Sequence, residues 1–163
     1  MKTRNILFAV LFSFILGGVN AQDKTAKAQL APKAEQSTTE VLLNSKTFEF
    51  IANTMYPMGQ PSKNLVGSDY SVTFSPEMIV SNMPFYGRSY SALAIGKDKG
   101  MRFKGAPEDF TVEKIKRGYE VKTKVKNDRD TFALVLTVSD SGYATLSIST
   151  NDRETISYHG EVR

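Results

Sequence analysis

Tyr119-Glu120-Val121-Lys122-Thr123-Lys124-Val125-Lys126 and Phe132-Ala133-Leu134-Val135-Leu136-Thr137-Val138 decide the fold class of this chain. In the first stretch Tyr119, Val121, Thr123 and Val125 alternate with Glu120, Lys122, Lys124 and Lys126. A period of two is that of a strand with one buried and one wetted face, because successive side chains point to opposite sides of a sheet. Phe132, Leu134, Leu136 and Val138 keep the same period after the polar turn Asn127 to Asp130. Ser139-Asp140-Ser141-Gly142 turns the chain again, with glycine where a left-handed residue is wanted. Ala144, Leu146 and Ile148 then alternate with Thr145, Ser147 and Ser149, and Asn151-Asp152 leads into Ile156, Tyr158, Gly160 and Val162.

Working toward the N-terminus, the alternation continues with less regularity. Phe48, Phe50 and Ala52 alternate with Thr47, Glu49 and Ile51, and Tyr56-Pro57-Met58-Gly59 ends that strand. Tyr70, Val72 and Phe74 form another, and Ser75-Pro76-Glu77 turns into Met78 to Met83. Further strands are expected over Ser89 to Ile95 and, after a turn at Gly96 to Gly100, over Met101 to Lys104. The strands are short, evenly spaced and joined by loops too brief for crossover helices, so the sheet should be antiparallel and mostly a meander. One apolar face per strand obliges such a sheet to cover itself. The expected fold is all-β, closing into a small up-and-down barrel or curled sheet, with a β-sandwich as the alternative. Ser37-Thr38-Thr39-Glu40 has the form of a capping box, so Val41-Leu42-Leu43 makes either a short helix or the approach to the first strand.

The first 21 residues read as an address. Lys2 and Arg4 precede an apolar run, Ile6 to Leu16, and Val19-Asn20-Ala21 offers the small residues a signal peptidase reads. Cleavage is expected between Ala21 and Gln22, and the run is well short of the ~20 apolar residues of a bilayer span. No cysteine follows, so a lipid anchor at the cleavage site is excluded. Gln22 to Gln36, rich in Ala, Lys and Gln, reads as a linker ahead of a single domain from Ser37 to Arg163. Removing 21 residues from 163 leaves 142, enough for one core without a metal or disulfide. The absence of cysteine excludes thiol redox chemistry and thiolate metal sites. The leader takes 2 of the 21 basic residues and none of the 17 acidic ones, so the mature net charge is 19 − 17 = +2. That figure, in an exported protein, gives no case for nucleic acid.

Four constellations invite chemistry. His159, the only histidine, falls by parity with Ser157 and Glu161 on a wetted face, opposite Ile156, Tyr158 and Val162. A flat strand triplet lacks the oxyanion donors that acyl transfer needs. Asp128-Arg129-Asp130 and Ser139-Asp140-Ser141 hold oxygens, but neither has the spacing of a calcium loop. Glu113 to Lys126 concentrates six basic residues. If Gly118 turns one strand into the next, Lys114 and Lys116 come back beside Lys122 and Lys124. That cluster reads either as protection of a sheet edge or as an anion-binding face. Finally, Pro84 and Gly87 should break the strand in Met83-Pro84-Phe85-Tyr86-Gly87-Arg88-Ser89-Tyr90, with Gly87 taking a backbone conformation other residues avoid. Phe85, Tyr86 and Tyr90 would then surround Arg88 as a ligand-contacting mouth, or as a structural corner tied by Arg88.

That block resembles the Pro-aromatic-aromatic-Gly-Arg signature of domain-of-unknown-function family 4251, a group of exported proteins of Bacteroidota. Phe48-Glu49-Phe50-Ile51-Ala52 is similar to the family's opening strand. Gly142-Tyr143-Ala144-Thr145-Leu146 with Arg153, followed by Ile156-Ser157-Tyr158-His159-Gly160, is similar to its closing hairpin. The resemblance covers Lys46 to Arg163 and implies export and a β-rich domain, with no catalytic residues to carry over. The reading favoured here is a periplasmic or extracellular, non-enzymatic domain without cofactor or metal, binding an apolar or amphipathic ligand at one barrel end. The alternatives are a structural or interaction protein of the envelope with no small-molecule site and, least favoured, a hydrolase.

Overall fold

The computed structural model describes residues 37–90, 100–127 and 130–163. The leader, its cleavage site at Ala21 and Gln22, the linker and most of the strand expected over Ser89 to Ile95 lie outside these residues.

The described residues form a short helix, α1 (Thr38–Asn44), and ten strands: β1 (Phe48–Tyr56), β2 (Lys63–Asn64), β3 (Ser71–Phe74), β4 (Ile79–Met83), β5 (Met101–Gly105), β6 (Pro107–Ile115), β7 (Gly118–Lys126), β8 (Thr131–Val138), β9 (Tyr143–Ser149) and β10 (Ile156–Val162). All pairings are antiparallel, in the order β5-β4-β3-β1-β10-β9-β8-β7-β6, with β2 pairing β1 to one side. Two meanders, β3 to β5 and β6 to β10, are thus joined through β1. The sheet curls nearly into a barrel with one unsealed seam, the first of the two expected closures rather than the sandwich.

The inward face is that of the sequence pattern. Tyr119, Val121, Thr123 and Val125 are buried on β7, Phe132, Leu134, Leu136 and Val138 on β8, and Ala144, Leu146 and Ile148 on β9. Phe50, Met55, Phe74, Met83, Met101 and Tyr158 complete a dense interior. The seam lies between the outermost strands, β5 and β6, which Ala106 alone separates in the chain. Aromatic rings bridge it from within. Phe103 of β5 stacks on Phe132 of β8 with centroids 4.1 Å apart, and Phe74 of β3 meets Phe110 of β6 at 6.2 Å.

α1 covers one end. Ser37 caps it by accepting the Glu40 amide hydrogen bond at 3.1 Å, as the capping box predicts. Leu43 is buried beneath it, the Thr39 hydroxyl donates to the Asp140 carbonyl, and Tyr119 donates to Glu40. The loop holding Asp140 joins β8 to β9, so the helix closes the end of the sheet at which those strands turn.

Two strands escaped the sequence reading in part. β2 is only two residues long. β6 begins at Pro107 and carries a bulge between Glu108 and Thr111, with Asp109 at φ 54°, which destroys its alternation. Proline, a bulge and the edge-facing Lys46, whose Nζ donates to the Phe110 carbonyl at 2.7 Å, all blunt this outer strand.

Candidate functional site

The segment after β4 lies at the end opposite α1, against the loop that joins β9 to β10. Pro84 is buried there, and its carbonyl accepts a 2.6 Å hydrogen bond from the Tyr158 hydroxyl. Burial pushes the Tyr158 phenol well above its ordinary range, with nearby Arg153 offsetting part of that shift, so the group stays protonated as a donor. Beyond Pro84 the chain runs beside residues 152–154. The Arg88 amide donates to Glu154 Oε2 and the Glu154 amide to the Arg88 carbonyl, both at 3.1 Å. Ser89 bridges Arg153, and the Tyr90 amide donates to the Asp152 carbonyl at 2.7 Å.

The rings and cations are arranged differently from the cluster expected around Arg88. Arg88 does not gather the three rings. Its guanidinium, largely exposed, stands 3.8 Å from Glu154. The cation over Phe85 is Arg153, at 5.4 Å, and the cation over Tyr86 is Lys63 of β2, at 3.5 Å. Tyr90 is 68% exposed. Gly87 is not in the left-handed region either, because the positive-φ glycines are Gly59, Gly67, Gly118 and Gly142. What Gly87 supplies is room: a Cβ there would stand 2.7 Å from Phe85 Cζ. The block is built as a corner, tied mainly through its backbone.

The basic segment is also rearranged. The hairpin turn is Lys116-Arg117, between the paired residues Ile115 and Gly118, with Gly118 at φ 110°. Lys114 therefore opposes Tyr119, Lys122 opposes Thr111 and Lys124 opposes Glu108, and the four lysines are not brought together. Lys114 lies over the Tyr119 ring and 3.9 Å from Glu40, Lys122 pairs with Glu120, and Lys126 pairs with Glu108 at 3.0 Å. The contact with the Glu120 carboxylate raises the Lys122 pKa. Lys124 and Lys126 line a shallow groove of about 320 Å³ with Glu108, Thr131, Ser149 and Asn151.

A second groove, of about 280 Å³, opens on the outer face of β1, β9 and β10, lined by Asn53, Tyr143, Ala144, Thr145, His159 and Gly160. A bulge in β1 makes it. Ala52 pairs with Gly160 and Thr54 with His159, so Asn53 is the extra residue. His159 is exposed on this face, as parity placed it, with its ring 4.3 Å from that of Tyr56. The Ser157 hydroxyl is hydrogen-bonded to that of Ser147 at 2.9 Å. This groove was not among the sites expected from the sequence. The available signal was a break in β1, where the buried apolar positions run 48, 50, 52 and then 55.

Among the described residues no group of three or more metal-ligating side chains stands together, and no helix is long and apolar enough to cross a membrane. No curated protein matches the chain. A crystal structure of a DUF4251 family protein from Bacteroides eggerthii DSM 20697 is similar, with a TM-score of 0.59 at 18% identity, covering 75% of this chain and 82% of that one. At that identity the likeness speaks to the fold alone. The family described as "Domain of unknown function (DUF4251)" matches residues 31–162, reaching further toward the N-terminus than the blocks that first carried the resemblance. Over most of its length, then, the chain belongs to the DUF4251 family.

Proposed function

We propose that the chain is an exported, non-enzymatic interaction domain of the cell envelope that works through its outer surface. The observation that carries this reading is the filled interior. Tyr158, Phe50, Phe74, Met55, Met83, Met101, Leu134, Leu136, Leu146 and Ile148 all lie fully buried on the inward face. One end is closed by α1 and the other by the Tyr158–Pro84 bond. An apolar ligand would have to displace close-packed side chains at a cost of several kilocalories per mole, by the logic of overpacked cores. Both grooves described above open outward instead. Against hydrolysis stands the engagement of Ser157 by Ser147 and of the His159 ring by Tyr56.

Cell fractionation with native mass spectrometry tests the reading. The expected result is a chain in the periplasmic or extracellular fraction that begins at Gln22 and travels as bare polypeptide. A cytoplasmic chain retaining Met1 to Ala21, or a stoichiometric apolar adduct that survives gentle release, would overturn it.

A further inference from the structure

We propose that the groove at the β1 bulge binds neutral sugar units of a glycan, a proposal that rests on the outer-surface reading above and names its ligand class. The bulge is the starting point. Asn53 has no partner on β10, and its carbonyl is held from the other side by the Leu65 amide at 2.9 Å. A residue fixed in this way has its side chain re-aimed relative to the regular pleat, which is a recurrent use of bulges beside binding sites. The floor beside it is Ala144 and Gly160, from which nothing tall rises. Gly160 is obligatory, since a Cβ there would collide with the Ile51 carbonyl and stand 3.1 Å from Ala52 Cα.

The walls are aromatic. Tyr143 is 68% exposed on one side, and the His159 ring, backed by Tyr56, stands on the other. Between them the Asn53 amide and the Thr145 hydroxyl make no hydrogen bond within the protein among the described residues. None of the six lining residues is an acid or a lysine or arginine, in a chain of which 23% is charged. Among these six, an ionic ligand would meet no carboxylate, ammonium or guanidinium. An uncharged, hydroxyl-rich ring with an apolar face meets both of its needs: C–H groups against the tyrosine face, and hydroxyls against the amide and hydroxyl. The groove's 280 Å³ is of the order of one or two sugar rings. An extended peptide fits less well, because β1, β9 and β10 are each paired on both sides and offer no free edge to extend.

Calorimetric titration of the mature chain against neutral hexasaccharides (glucan, xylan, mannan and galactan fragments) and against uronate and sulfated oligosaccharides tests the proposal. At least one neutral oligosaccharide should bind, with an affinity that salt does not change. Tyr143→Ala should weaken it about tenfold or more, whereas Tyr143→Phe should keep most of it. Asn53→Ala should weaken it several-fold, with thermal midpoints of all three variants close to the parent's. Failure of every neutral oligosaccharide to bind would overturn the site, as would binding indifferent to Tyr143→Ala. Salt-sensitive binding of acidic oligosaccharides alone would also overturn it. Each of those results leaves the outer-surface reading standing, since that reading falls only to an apolar adduct or a cytoplasmic location.

Discussion

The Tyr158 hydroxyl donates to the Pro84 carbonyl in a place water does not reach. Tyr158→Phe removes the donor and leaves that carbonyl unsatisfied, so it should cost about 1–3 kcal/mol, measured by denaturant midpoint. At the neighbouring corner, Glu154 should matter more than Arg88. The Arg88 guanidinium is exposed and contributes at most about 1 kcal/mol, whereas Glu154 Oε2 also accepts a backbone N–H. Arg88→Ala should therefore be nearly silent and Glu154→Ala clearly destabilising; the reverse order would show that the guanidinium is the tie. Glu49 gives a pH signature. A hydrogen bond from Ser71 holds its carboxyl below the ordinary range, with Arg163 adding to the effect and burial opposing it. A depressed folded value means stability present at neutral pH and lost as pH falls through that value. Arg163→Ala should thus cost about 0.2–1 kcal/mol at neutral pH, a difference that fades in acid as Glu49 is protonated.

At the scale of elements, the β8–β9 hairpin pairs core residues directly, Leu134 with Ile148 and Leu136 with Leu146. Leu134→Ala or Leu146→Ala should each cost on the order of 2–5 kcal/mol as buried large-to-small changes, and midpoints near the parent's would mean the inward face is misassigned. These strands were legible because every inward residue from Phe132 to Ile148 is apolar and every turn carries its own chemistry, such as Gly142 at φ 88°. β6 was less so. The two-residue turn at Lys116-Arg117 sets a register in which Lys114 meets Tyr119 rather than Lys122, the bulge at Asp109 shifts it again further along, and no local pattern announces either. The candidate groove was hidden for the same reason. Tyr143, Thr145 and His159 each read as ordinary wetted positions, and only the pairing of β1 with β10 brings Asn53 among them. That pairing joins residues more than a hundred positions apart, which periodicity does not encode.

Across the whole molecule, the first strand of the barrel lies beside the last. β1 and β10 pair from Phe50–Val162 to Tyr56–Ser157, and Glu49 exchanges backbone hydrogen bonds with Arg163 at 2.9 Å in both directions. Among the described residues, β10 is the strand through which the β1–β5 part of the sheet pairs with the β6–β9 part. A polypeptide threaded N-terminus first through a secretion pore would deliver β1 early and β10 at the very end. Until Ile156 to Val162 had cleared such a pore, the two parts of the sheet would lack the strand that pairs them. A chain stopped after Glu154 should accordingly remain open to protease under conditions in which the full chain resists it. Under the export proposed above, the place of one strand in the sheet would make arrival on the far side of the membrane the event that completes folding.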